Sequence, residues 1–320
     1  MPSHGMASAF AVMMAPRASI LFAITLLCPP AVRAQAPQVQ IEQARERTKL
    51  PAGTAGSTAG FEDFPETTED DASDAKATSQ REDRALAFSG FAEIAAFATD
   101  NVALTKHARE DDRYLVATTA ASLTRRFCPQ IQADATVRAA AYRYNRFPGL
   151  DFQTIDLSVG VTWIPPKLGG TEIEVRYTFS DFTTRHGDEF YSDHAILVGA
   201  QKVYRFSAAQ AIYGGLNAQW GWSDPKSAHR DEYSVFAGYR LQATRSIDAD
   251  LNYRYSRYVY TDSDGRQDNN QIVSLTWRYA PVDWAAVSLT SYFSWNRSTQ
   301  SAFDYEALNA GLALQFSVRF

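Results

Sequence analysis

Residues 305–320 read YEALNAGLALQFSVRF. Leu308, Ala310, Leu312, Leu314, Phe316, Val318 and Phe320 share one parity, and Asn309, Gly311, Ala313, Gln315, Ser317 and Arg319 share the other. A period of two belongs to a β-strand, whose successive side chains point to opposite faces. One face is therefore apolar and the other small or polar, and the alternation runs into a terminal aromatic residue. This is a strand between two solvents. A strand at the edge of a soluble sandwich is the alternative, but there a loop or tail usually follows.

The same pattern recurs upstream. Twelve alternating segments span 88–99, 113–124, 131–144, 152–163, 171–183, 192–202, 210–222, 232–242, 247–260, 270–279, 284–296 and 305–320. Each is near the length of a tilted strand that crosses a bilayer. In the fourth, Ile155, Leu157, Val159, Val161 and Trp163 oppose Asp156, Ser158, Gly160 and Thr162. The connections after odd-numbered segments, such as 100–112, 223–231, 261–268 and 297–304, are longer and more charged. Those after even-numbered segments, such as 125–130, 164–170, 243–246 and 280–283, are turn-like. Residues 203–209 read as a longish turn that weakens this rule. Long external loops and short periplasmic turns are what a membrane barrel requires. Hydrocarbon leaves no partner for an open sheet edge, so the last strand must meet the first. The expected fold is all-β: a transmembrane antiparallel up-and-down barrel of about 12 strands, with 10–14 as the range.

Composition agrees. Of the 320 residues 45% are hydrophobic, with 16 Tyr, 19 Phe and 6 Trp. Mean hydropathy is nevertheless only −0.30, because strands that show lipid at every second residue average out. Trp163, Trp220, Trp222, Tyr279, Trp284 and Trp295 lie near segment ends, where interfacial girdles form. The net charge of −5 speaks against a nucleic-acid partner.

The chain divides into three parts. Arg17, the apolar run 18–28 and the sequence Val32-Arg33-Ala34 form a secretory signal, with cleavage expected after Ala34. Residues 1–34 hold no acidic residue, so their removal takes the net charge to −7. Residues 35–87 read as a disordered acidic periplasmic extension. A short helix is expected over 38–49, through Val39, Ile41 and Ala44; a plug in the lumen is the less favoured reading, because no compact apolar or Gly-rich pattern supports it. Residues 88–320 are the barrel. Cys128 is then the only cysteine, so no internal disulfide is expected.

The signal sequence, the polar leader, the alternating strands and the terminal Phe320 together resemble bacterial outer-membrane β-barrels, among them the putative β-barrel porin group. The sequence Thr99-Asp100-Asn101-Val102 after the first strand is similar to members of that group, and Phe316, Val318 and Phe320 resemble the family's C-terminal assembly signal. The resemblance implies the cell outer membrane of a Gram-negative bacterium. It also implies as partners the outer-membrane lipids, the barrel-assembly machinery and periplasmic chaperones, with polysaccharide-export components as a further possibility by analogy. It carries no catalytic motif and implies no cofactor.

Function then rests on the inward face. Parity directs Asp134, Arg138, Asp156, Glu172, Glu174, Arg176, Glu232, Arg240, Asp248, Asp250, Arg254 and Arg278 into the lumen. Eight strands enclose a filled interior and sixteen an aqueous channel, so about twelve leave a narrow charged passage or a nearly occluded one. The first reading is a passive small-solute channel or export-associated pore, selective through its acids and arginines. The second is a scaffolding barrel whose charges fill the wall without conductance. A lipid hydrolase built on Ser192 and His194 is the enzymatic alternative; their Ser-x-His order is reversed from that of the phospholipase barrels, and no third member is evident, so no enzyme is expected. His107, His186 and His229 fall in separate loops, so no metal site is expected.

Overall fold

A computed structural model describes residues 30–49 and 86–320, and the side chains of 37–47 and 49 within the first of these ranges. Helix α1 (Pro30–Thr48) is followed by β1 (Leu86–Thr99), β2 (Asp112–Cys128), β3 (Ile131–Tyr144), β4 (Phe152–Trp163), β5 (Glu172–Thr184) and β6 (Glu189–Ser207). Then come β7 (Gln210–Asp224), β8 (Arg230–Thr244), β9 (Ile247–Tyr260), β10 (Gln267–Val282), β11 (Ala285–Ser298) and β12 (Tyr305–Arg319). Each strand pairs antiparallel with its sequence neighbours, and β12 pairs with β1, so the twelve strands close. The seam runs from Ser89 opposite Arg319 to Thr99 opposite Asn309. Phe320 completes it: its N–H donates to the Phe88 carbonyl at 2.9 Å, its carbonyl accepts from the Phe88 N–H at 3.3 Å, and the two rings lie 6.0 Å apart.

Alternation sets the two faces. Ile155, Leu157, Val159, Val161 and Trp163 of β4 are all exposed, as are Leu308, Leu312, Leu314, Phe316 and Val318 of β12. An apolar outer belt of this kind belongs against hydrocarbon, and closure leaves no unpaired edge in it. Four of the connections at one end are two-residue turns, at 129–130, 208–209, 245–246 and 283–284, and the fifth, at 164–171, is longer; the other end carries the longest loop, 100–111. The ladder shifts register beside each of those four turns, at Arg126/Cys128, Arg205/Ser207, Gln242/Thr244 and Tyr279/Val282.

Two expectations need correction. The stretch 203–209, read as a longish turn, is mostly strand: β6 continues to Ser207 and pairs with β7 as far as Gln210, so the turn there is as tight as its neighbours. The amino-terminal segment departs further. The described residues from 36 onward fall in one compact unit, and the helix expected near 38–49 packs against the inward faces of the strands. Val39 clusters with Leu104, Tyr305 and Ala307, and Ile41 and Ala44 join the aromatic cluster of Phe97, Tyr114, Tyr142, Phe152 and Tyr191. The physical reason is mutual charge complementarity with a wall whose partners lie far away in sequence. The remainder of the expected extension, residues 50–85, and the expected signal sequence apart from the backbone of residues 30–34 lie outside the described residues.

Candidate functional site: a charged lumen with a helix in its mouth

Toward the turn end the inward charges pair across strands. Arg176 on β5 reaches over β4 to Asp134 on β3, donating from Nη1 to Oδ2 at 2.8 Å and from Nη2 to Oδ1 at 2.9 Å. It also bonds Glu174 and donates to Ser158 Oγ at 3.2 Å. The register explains how it can cross: Gly160 stands between Asp134 and Arg176, and a Cβ there would sit 2.8 Å from Nη2. Glycine thus opens the path of the guanidinium. Glu172 accepts from Gln201 Nε2 at 2.7 Å. Arg138 faces Asp156 in register, and Asp156 accepts from Ser180 Oγ at 2.6 Å.

On the opposite wall Asp248 lies 3.8 Å from Arg240 and 3.5 Å from Arg278, and Asp250 lies 3.8 Å from Arg240. Tyr213 donates to Asp250 at 2.7 Å, and its ring covers Gly238, where a Cβ would be 2.2 Å away. Arg254 donates to Ser234 at 3.3 Å with its guanidinium 5.0 Å from the centre of the Phe236 ring. Eleven of the residues expected in the lumen thus meet or face one another or other polar side chains, and the twelfth, Glu232, does so toward the loop end. They form two groups, one on β3–β5 and one on β8–β10.

Toward the loop end α1 occupies the space. Glu42 accepts from Arg230 Nη1 at 2.7 Å and from Tyr260 at 3.2 Å. Tyr305 donates to Glu46 at 2.7 Å. Arg45 stacks over Tyr191 at 5.1 Å and lies 3.9 Å from Asp193. Arg47 stacks over Phe97 at 4.2 Å and lies 3.6 Å from Glu93. Lys49 lies 4.4 Å from the Tyr258 ring centre and 3.6 Å from Glu232. Gln43 donates to the Val102 carbonyl at 2.7 Å, which ties the helix to the first loop.

That loop is held by the sequence Thr99-Asp100-Asn101-Val102. Asn101 is fully buried and donates from Nδ2 to the carbonyls of Thr105 and Glu306, both at 2.7 Å, while Asp100 Oδ1 accepts from the Leu308 N–H at 2.7 Å. Farther out, Asp304 joins the first loop to the last. Burial pushes its carboxyl up, but the hydrogen bonds from the Ser298 N–H and from Lys106 Nζ, at 2.8 Å and 3.0 Å, hold it below its ordinary value.

The residues considered for catalysis do not assemble. His194 faces outward and shares a 2.7 Å hydrogen bond between Nδ1 and the Tyr177 hydroxyl, with the Phe179 ring 4.9 Å away. Asp181 and Asp224 flank Ser192 in register, so acids do stand beside it. Among the described residues, however, no hydrogen bond joins Ser192 to His194, and nucleophilic activation needs one. Among the described residues no group of His, Cys, Asp or Glu converges on a metal position.

No family model matches the chain, and no curated protein does. Solved structures do share its architecture. An outer membrane channel from Pseudomonas putida F1 superposes with a TM-score of 0.53 over 73% of this chain and 95% of its own, at 9% identity. The translocator domain of the autotransporter NalP from Neisseria meningitidis gives a TM-score of 0.41 over 75% of this chain and 92% of its own, at 12% identity. The first likeness shows the fold, and the second adds nothing to it. With the closed strand order and the apolar belt, the fold is that of an outer-membrane β-barrel.

Proposed function

We propose that this barrel is a passive outer-membrane channel for small solutes, with α1 seated in its outer mouth as a plug. The observation that carries the reading is the set of charged groups on the inner face, toward the turn end and around α1, where they share the wall with the aromatic cluster. Closure and membrane insertion need only the outer face, yet the inner face bears the Asp134/Arg176 and Asp248/Arg240/Arg278 groups as well as Glu93, Asp193, Glu232 and Arg230 around α1. Such groups set selectivity in pores at close quarters. The bidentate Arg176 to Asp134 contact, at 2.8 Å and 2.9 Å, favours a second reading, in which the charges brace the wall and nothing passes.

Planar-bilayer recording separates the two. The full chain should give rare, small openings, and a chain lacking residues 36–49 should give frequent ohmic steps. Ion selectivity of those steps should change in Asp250→Ala or Arg254→Ala. Silence from both chains, each verified as a heat-modifiable barrel, supports the scaffold instead.

A further inference from the structure

The wall around α1 combines acids with aromatic rings. Tyr191 and Asp193 stand two apart on β6, so both point inward. Glu232 on β8 is directly opposite Tyr258 on β9. Glu93 and Phe97 stand four apart on β1, again on the inner face. Asp193 and Glu232 thus have an aromatic ring beside them and receive Arg45 and Lys49, while Arg47 spans from Glu93 to Phe97 farther along β1. An acid with a ring face is a receptor for guanidinium or ammonium groups, because the carboxylate neutralises the charge while the quadrupole of the ring attracts it.

Arg45 and Lys49 donate to the hydroxyls of Tyr191 and Tyr258, so the rings hold them more closely than the acids do. Toward the acids alone the contacts are longer: Arg45, Arg47 and Lys49 approach them at 3.6–3.9 Å, whereas Arg176 meets Asp134 at 2.8 Å. Glu93 is the clearest case. Its side chain is fully buried, neither carboxylate oxygen accepts a hydrogen bond, and the hydroxyl of Thr118, opposite it in register, is also without a partner. A buried carboxylate with no donor is costly, so a ligand that brings N–H groups closer has free energy to gain.

We infer that the outer vestibule is a binding site for basic solutes carrying two or three guanidinium or ammonium groups, with α1 its intramolecular occupant. The inference rests on the channel reading only for its consequence, that such a solute displaces the helix and is the preferred cargo. Binding itself can be read without conduction.

The test uses full-length barrel in detergent and calorimetric titration with triarginine, with triglutamate as control. In the variant Arg45→Gln/Arg47→Gln/Lys49→Gln the helix keeps its length but loses its cations, and triarginine should bind at least tenfold tighter than to the native chain. Adding Glu93→Gln, Asp193→Asn and Glu232→Gln should abolish that gain, and Asp193→Asn alone should reduce it should the combined variant not fold. No heat with triarginine in the helix variant, equal binding of triglutamate, or a gain that survives neutralisation of the wall would each overturn the inference. Heat without conductance would leave the site standing and remove the channel; conductance without heat would do the reverse.

Discussion

At the scale of single residues, the glycines that face the lumen are spaces reserved for particular neighbours. A Cβ on Gly311 would come within 2.4 Å of the Phe97 ring, which stacks on Tyr114 with centroids 5.5 Å apart and lies under Arg47. Gly311→Ala should therefore destabilise the barrel by about 1–3 kcal/mol through overpacking. Gly160→Ala meets only the flexible end of Arg176 and the Asp134 carboxylate; it should cost little stability and instead part that ion pair. Gly149, with open space around it, supplies the neutral control, and urea midpoints of the three variants in lipid check the order. Asp304 gives a pH dependence. Its carboxyl is held below the ordinary aspartate value, so its contribution to joining the first and last loops is complete above about pH 4 and fades as pH falls through its lowered pKa. Hydrogen exchange in residues 100–111 and 299–304 should rise on acidification below pH 4 in the native chain. In Asp304→Asn exchange should already be raised at neutral pH and should change less with acid.

At the scale of the strand, face decides tolerance. Val159→Arg, Leu275→Arg and Leu314→Arg put a cation on the apolar belt and should each cost roughly 2–4 kcal/mol near mid-membrane, while Ser158→Arg, on the inner face of β4, should cost much less. Refolding yields that did not separate the two groups would overturn the assignment of faces. Parity, strand order and the seam were all legible in the sequence, because a period of two over ten residues has no competing explanation. Ala313 shows the limit of that legibility. It faces inward as its parity requires, but it packs in the cluster that receives Ile41 and Ala44, so it is no permissive lumen position. The turn-end extent of β6 was hidden as well, because Arg205 and Ser207 bracket a register shift that breaks simple alternation. The last residue has its own role. Deleting Phe320 removes both hydrogen bonds to Phe88 and the ring contact that close the seam, and folded, heat-modifiable protein should fall in outer-membrane fractions while synthesis is unchanged.

At the scale of the whole molecule, the charges on α1 and those on the wall are halves of one pattern. Neither half could be read alone. Within 36–49 the buried set includes Gln40, Glu42, Glu46 and Arg47 beside Val39, Ile41 and Ala44, so no apolar stripe marks the segment as one that seeks an interior. Its partners Glu93, Asp193, Arg230 and Glu232 are scattered over three strands, and only barrel closure brings them to one mouth. Parity could direct twelve charged residues inward; of the acids and rings around the helix it named only Glu232, because the meaning of the others lies in what they hold. The account stands or falls on whether α1 rests inside the barrel and gates it. With Cys128→Ala as background, Gln43→Cys and Val102→Cys can be joined by a short cleavable dithiol linker, since Gln43 Nε2 and the Val102 carbonyl are 2.7 Å apart. Single-channel recording of the linked chain before and after reduction is the most direct measurement: the account predicts silence while the link is intact and openings once it is cut, whereas failure to link, or identical traces in both states, would contradict it.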